Sequence, residues 1–249
     1  MDVRINKFLS EAGLCSRREA DRLIEQRRVH VNGVPASQGQ KVQDGDTVCV
    51  DGKEITKETQ EIILAFYKPR GVVCTTARED NAQDIVNVVD YINYPKRIYP
   101  VGRLDKDSEG LLLLTNQGAL MDEILRSRNH HEKEYFVTVD HDMTKEFLEK
   151  MASGVHLFSM RNGQTQLDEM TRPCKVQKVN ERSFRIILTQ GLNRQIRRMC
   201  ETLGYRVRYL RRDRVLNISL GNLKKGAYRE LTVGEKEELY RIVGKKREK

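Results

Sequence analysis

A chain of 249 residues has room for one or two domains with a real hydrophobic core. Lys and Arg outnumber Asp and Glu by 45 to 36, a net charge of +9 that selects a polyanionic partner, nucleic acid before any other. The longest apolar run, Ile62–Tyr67, is far short of the ~20 residues that span a bilayer, and Met1-Asp-Val-Arg-Ile-Asn6 lacks the basic-then-apolar order of a secretory signal. The chain is therefore expected in the cytoplasm and off the membrane.

Ile5, Phe8, Leu9 and Ala12 recur at helical spacing and stop at Gly13, a residue suited to a left-handed helix end. Ser16 precedes Glu19 by the capping-box spacing and opens a second helix with the apolar stripe Ala20, Leu23 and Ile24. Around that stripe stand Arg17, Arg18, Arg22, Arg27 and Arg28, offset only by Glu19, Asp21 and Glu25. A solvated face needs fewer arginines, so phosphate contact is the favoured reading. Val29-His-Val-Asn-Gly33 and Gly45-Asp-Thr-Val-Cys-Val-Asp-Gly52 read as short strands between turns.

These blocks, Arg4-Ile-Asn-Lys-Phe-Leu-Ser-Glu-Ala-Gly-Leu-Cys-Ser-Arg-Arg-Glu-Ala20 with Val29–Gly33 and Gly45-Asp46, resemble the S4 RNA-binding domain. The resemblance implies that Lys7, Arg17, Arg18 and neighbouring arginines such as Arg22 and Arg28 grip an RNA backbone. The expected organisation is an S4-like α/β module at 1–56, a linker at 57–61 closing the polar stretch Gly52–Gln60, a larger domain at 62–244 and a basic tail at 245–249.

In the larger domain Ile62–Tyr67 reads as a buried strand, turned by Lys68-Pro-Arg-Gly71 so that Val72–Thr76 is expected to pair with it. Ile85, Val88, Val89 and Ile92 predict a helix broken by Tyr94-Pro95. Tyr99–Thr115 is a turn-rich segment holding Gly102, Arg103, Asp105, Asp107, Ser108 and Gly110 that runs into four consecutive leucines, Leu111–Leu114, a strand buried on both faces. Leu120, Met121, Ile124 and Leu125 predict a helix with Arg126 and Arg128 at its end, where positive charge suits the dipole. Glu132–Val139 alternates as a strand with Tyr135, Val137 and Val139 on one face. Phe147, Leu148 and Met151 suggest a further helix, and Ser183–Thr189 a further strand.

Gly191-Leu-Asn-Arg-Gln-Ile-Arg-Arg-Met-Cys-Glu-Thr-Leu-Gly204 predicts an amphipathic helix with Ile196, Met199, Cys200 and Leu203 inward and Arg194, Arg197 and Arg198 on the other side. Arg197 lies about a quarter turn from Ile196, on the border of the buried stripe, where it can turn inward to a carboxylate. Val207, Tyr209, Leu210, Arg211, Arg212 and Arg214 carry the basic character onto a strand, and Ile218–Leu220 with Leu223 closes the domain. The fold class expected is α+β, with a mixed, largely antiparallel sheet in the larger domain.

Cys15, Cys49, Cys74, Cys174 and Cys200 are far apart, without a Cys-x-x-Cys pair, and His130-His131 has no further ligands at metal spacing. They are expected to be scattered thiols and ordinary histidines, with no metal site. An aspartate in a loop beside arginines can cap, pair or react. An aspartate in a turn more often bonds its own backbone; Arg103 two residues before Asp105 and Arg197 on a helix border add weight to reaction, since a salt-bridged carboxylate stays ionised and can act as nucleophile or base.

Gly102-Arg-Leu-Asp-Lys-Asp-Ser-Glu-Gly110, Lys133-Glu-Tyr135, Gly191-Leu-Asn-Arg-Gln-Ile-Arg-Arg198 and Leu210-Arg-Arg212 stand in the order found in the RsuA/RluB/RluE/RluF family of pseudouridine synthases, which the chain resembles over nearly its whole length. Asn129–Tyr135 and Arg214–Ser219 look most like the F branch of the large-subunit synthases. The resemblance implies isomerisation of a uridine in structured RNA, 23S ribosomal RNA first, with 16S ribosomal RNA or a tRNA as alternatives. It implies that Asp105 attacks the uridine at C1′ or C6, that Arg103 holds the flipped nucleotide or fills its place, and that Tyr135 stacks on the uracil. Arg197 would pair with Asp105 and Leu210 pack on the apolar side of the base. RNA contacts would extend to Arg194, Arg198 and Arg212; no cofactor is implied, and a monomer is expected. One departure is 155–172, longer than the family pattern, with an Asn162-Gly163 hairpin signal at its middle. The alternative in another class is an S4-type protein that docks on ribosomal RNA during assembly without chemistry.

Overall fold

The computed structural model describes residues 2–56, 60–75, 86–126, 130–161 and 164–244. Most of the expected linker, residues 57–59, and the tail 245–249 lie outside them, as do Thr76, Ile85, Arg128, Asn129 and the Asn162-Gly163 pair. The chain forms two compact units: Met1–Ile63 with Asn93–Tyr99 and Thr115–Gly118, and Leu64–Ile92 with Pro100–Leu114 and Ala119–Lys249.

In the first unit the helices Ile5–Glu11 and Arg17–Glu25 pack on a four-stranded sheet ordered Val34–Pro35, Val29–Val31, Val48–Val50, Lys53–Glu54. Ile5, Leu9, Ala20, Leu23, Ile24, Val29, Val31 and Val48 form its core, drawn from the stripe and the alternation in the sequence. Ser16 Oγ caps the second helix by accepting from Glu19 N at 3.1 Å; the Glu19 carboxylate pairs with Arg22 at 3.3 Å. Asn32 and Gly33 both take positive φ (51° and 80°), as a tight turn between antiparallel strands requires.

The second unit is built on a sheet ordered Lys175–Asn180, Ser183–Leu188, Lys133–Val139, Val207–Val215, Glu109–Thr115, Ile63–Lys68, Tyr228–Glu230. The first four strands pair antiparallel, as Tyr228–Glu230 does with Ile63–Lys68; Val207–Val215 runs parallel to Glu109–Thr115, with Arg211 opposite Glu109 and Arg212 opposite Gly110. Every residue of Ile63–Lys68 and Glu109–Thr115 is buried, so these strands are the rigid centre. Val137, Val139, Phe147, Met151, Phe184, Ile186, Ile196, Met199 and Leu210 close a core against the helices Lys145–Ser153 and Gln195–Thr202. The α+β class with a mostly antiparallel sheet is thus the fold observed.

Several local expectations are corrected. Val72–Val73 does not extend the sheet beside Ile63–Lys68; Val73 instead makes an isolated parallel bridge to Asn87, and the helix after it is described as Val88–Ile92. The edge strand Lys175–Asn180 has only Val176 part-buried among exposed residues, so no alternation announced it. The helix Val233–Val243 was likewise unanticipated, although Thr232 and Glu235 form a reciprocal capping box. His156–Arg161 and Gln164–Met170 pair antiparallel on either side of the Asn-Gly signal. Cys74 and Cys200 are buried, and Cys15, Cys49 and Cys174 half-buried, all free; burial pushes the Cys174 thiol up to about 11 and Cys200 to about 12. Among the described residues no helix is long and apolar enough to cross a membrane.

Candidate active site

Asp105 sits in the turn that feeds the buried strand Glu109–Thr115. Ser108 N donates to Asp105 O at 3.1 Å, and Gly71 N to Lys106 O at 2.8 Å, which ties the turn to the Lys68–Gly71 bend. Lys68 follows the apolar run and is fully buried; its Nζ donates to Pro69 O at 2.9 Å and Ser108 O at 2.8 Å, bracing both turns with one ammonium. Burial pushes the Lys68 ammonium below its ordinary value, against the pull of Cys74, Asp107 and Asp105.

Gly110 permits the approach of the neighbouring strand. Its φ is +110°, and a Cβ there would lie 2.3 Å from Arg212 O. Glu109, only 2% exposed, accepts from the hydroxyls of Tyr67 at 2.8 Å and Tyr209 at 2.7 Å and from Lys225 Nζ at 2.9 Å. Burial pushes its carboxyl up, but the bonds from Lys225, Tyr209 and Tyr67 outweigh that and hold it below its ordinary value. Burial and the same carboxylate push both tyrosine hydroxyls up.

Arg197, expected on the border of its helix, is turned inward and 7% exposed. Its Nη2 lies 3.1 Å from Asp107 Oδ2 and donates to Ser108 Oγ at 3.2 Å and Asp107 O at 3.3 Å; its Nη1 donates to Val207 O at 3.3 Å. Its Nε is buried without a hydrogen bond, 3.9 Å from Asp105 Oδ2. Burial pushes the guanidinium below its ordinary value, with Asp107 pulling the other way. Arg194 caps this helix with a left-handed φ of 53° and brings Nη1 to 3.7 Å from Asp105 and 3.5 Å from Asp107. Arg194 therefore faces the acidic turn, and the tighter partner of Arg197 is Asp107.

A cavity of about 580 Å³ opens beside this turn, and Arg103, Asp105, Tyr135, Arg194, Leu210 and Arg212 all line it. Leu210 is 5% exposed on the strand next to that of Tyr135, which is half-buried and packs on the core. Arg212, expected among the RNA-contacting arginines, is buried and gives its Nε to Leu111 O at 2.8 Å; it is a wall of the cavity. Arg198 is half-buried and bonds Asn193 at 3.4 Å.

In the first unit Arg17 and Arg18 are exposed, Lys7 pairs with Glu11 at 3.5 Å, and Arg28 gives its Nε to Asp51 at 2.8 Å. Sequence reasoning passed over Lys68, whose signal was a lysine ending a run that is otherwise wholly apolar. It also passed over Ser108, whose contacts with Lys68 and Arg197 come from distant segments, and Lys133, whose place on the cavity wall no local pattern shows.

Residues 62–202, more than half of the chain, match the RNA pseudouridylate synthase family, and residues 3–48 match the S4 domain. The chain belongs to the RNA pseudouridylate synthase family. It is 49% identical to the dual-specificity RNA pseudouridine synthase RluF of Escherichia coli K12, over 97% of this chain and 79% of that protein. The ribosomal large subunit pseudouridine synthase B of Bacillus subtilis is 36% identical over 93% of each chain. A crystal structure of a pseudouridylate synthase superposes on the synthase with a TM-score of 0.67 at 28% identity, covering 95% of this chain and 99% of the other. The protein is thus an RNA pseudouridine synthase, an enzyme that exchanges the N1 glycosidic bond of uridine for one to C5.

Proposed function

We propose that the synthase isomerises a specific uridine of 23S ribosomal RNA, with Asp105 as the attacking carboxylate on a nucleotide flipped into the 580 Å³ cavity. The observation that carries this reading is the placement of Asp105 on the cavity lining with Arg194 at 3.7 Å and Arg197 at 3.9 Å from one carboxylate oxygen. Two guanidiniums flank the carboxylate we assign as the nucleophile, and Arg197, braced by Ser108 and two main-chain carbonyls, fixes the turn.

Asp105 engages the uridine at C1′ or at C6, and the uracil leaves N1, turns and rejoins through C5. Tyr135 stacks on the base, Leu210 packs against it, and Arg103 holds the flipped nucleotide or takes its place in the stack. Extrusion costs a few kcal/mol, which phosphate contacts from Arg17, Arg18, Lys7, Arg22 and Arg28 of the S4 module and from Arg194 and Arg198 offset. The reaction is internal to one nucleotide and consumes no cofactor. The enzyme acts as a monomer in the cytoplasm, where ribosomal RNA is made.

Ribosomal RNA is supported by the name of the B. subtilis relative, and the dual specificity in the name of the E. coli relative favours a second RNA substrate, which we read as a tRNA. Pseudouridine mapping of ribosomal RNA and tRNA from cells with and without the gene tests this. A single 23S uridine should lose its modification on deletion; unchanged profiles in both RNA classes would overturn the assignment.

A further inference from the structure

We propose that Lys133 and Arg212 form a cationic pair that receives a carbonyl oxygen of the flipped uracil and stabilises the negative charge it gains as the C1′–N1 bond breaks. The inference builds on the reading in which Asp105 acts on a uridine in this cavity.

Lys133 and Tyr135 alternate onto one face of their strand, and in the adjoining strand Arg212 pairs with Tyr135 and Leu210 with Val137. Lys133, Tyr135, Leu210 and Arg212 all line the cavity. A ring lying against Tyr135 and Leu210 therefore presents an edge to Arg212, with Lys133 one step further along the sheet. Arg212 is 4% exposed; its Nε is anchored on Leu111 O at 2.8 Å, while its Nη2 is buried with no hydrogen bond. Lys133 Nζ has a single long bond, 3.4 Å, to His131 O. Among the described residues no carboxylate lies within 4.0 Å of either cation, and the charge acting on Lys133 is that of Arg212. A buried donor left without an acceptor is costly, so such a pair points to an acceptor that arrives with the substrate.

The nucleotide's phosphates lie on the sugar side of the base, toward Asp105, where exposed Arg103 and Arg194 stand. The acceptor left for the pair is the base itself. As an Asp105 carboxylate oxygen bonds to C1′, the C1′–N1 bond breaks and its electron pair passes to N1 and delocalises onto O2 and O4. After rotation the pair is restored as C5–C1′, the C5 proton is lost to water, N1 takes up a proton, and the Asp105 carboxylate is released. No oxidant or reductant enters, and the charge to be stabilised exists only between the two bonds, where a preorganised donor acts on rate rather than on binding.

The test is single-turnover tritium release from RNA labelled at uridine C5, with RNA affinity and thermal melting measured in parallel, for Lys133→Met, Lys133→Arg and Asp105→Asn. Removing one such donor is expected to slow release about 10²-fold, with affinity within about threefold and with Lys133→Arg recovering most of the rate. Lys133→Met turning over within about threefold of wild type, or losing affinity in place of rate, would overturn the pair. If Lys133→Met fails to fold, the shorter, uncharged Lys133→Gln is read by the same criteria. An active Asp105→Asn would instead sink the reading of Asp105; an inactive Asp105→Asn beside an active Lys133→Met sinks this inference alone.

Discussion

Arg197 reaches Asp107 at 3.1 Å and stands 3.9 Å from Asp105, so one inward-turned guanidinium holds the turn by a side chain beside the proposed nucleophile and attends that nucleophile at longer range. Its remaining bonds, to Ser108 Oγ, Asp107 O and Val207 O, fan out from a planar fork that an ammonium cannot copy. Arg197→Lys is therefore expected to lower the single-turnover rate by about 10²-fold and to cost about 2 kcal/mol in urea unfolding. Wild-type rate with wild-type stability would mean that the turn holds without the fork.

Gly110 gives a second prediction. Because a Cβ there meets Arg212 O at 2.3 Å and φ is +110°, Gly110→Ala combines a backbone clash with a strained conformation. About 3 kcal/mol or more of stability should be lost, visible as a lower urea midpoint, and the rate should fall with it because the same strand pair carries Arg212.

Glu109 makes stability depend on acid. Its folded-state value is held below the ordinary 4.5, so its contribution is fully present above that value and is lost as pH falls through the folded value. Glu109→Gln should be less stable than wild type by about 1–3 kcal/mol at pH 7, and the two urea midpoints should converge as pH falls through the lowered folded-state value. A constant gap across that range would assign the effect to packing rather than charge.

These three residues also mark how far the sequence could be read. Leu111–Leu114 announced a buried strand, and the strand is there, but it begins two residues earlier at Glu109. A charged residue in that position is concealed because its partners, Tyr67, Tyr209 and Lys225, come from distant segments. The Arg197 helix was legible from its stripe, and its inward turn was allowed by the border position; that Asp107 and not Asp105 takes the shorter contact depends on the fold of the turn. Arg212 looked like one more basic residue on a basic strand. Its burial follows from the parallel pairing with Gly110, which no local pattern encodes.

The S4 module carries a prediction of its own. Arg17 and Arg18 are exposed at the start of the helix Arg17–Glu25. If they hold phosphates, replacing both with alanine should weaken RNA binding and reduce the slope of log affinity against log salt by about 2. Filter binding from low to moderate salt measures it; an unchanged slope would place the phosphate contacts elsewhere.

Tritium release from C5-labelled target RNA by wild type and Asp105→Asn tests the central claim most directly. The substitution keeps the size of the side chain and removes the nucleophilic carboxylate. The account predicts release by the wild type and none above background by Asp105→Asn, with RNA affinity retained; release by Asp105→Asn at the wild-type rate would contradict it.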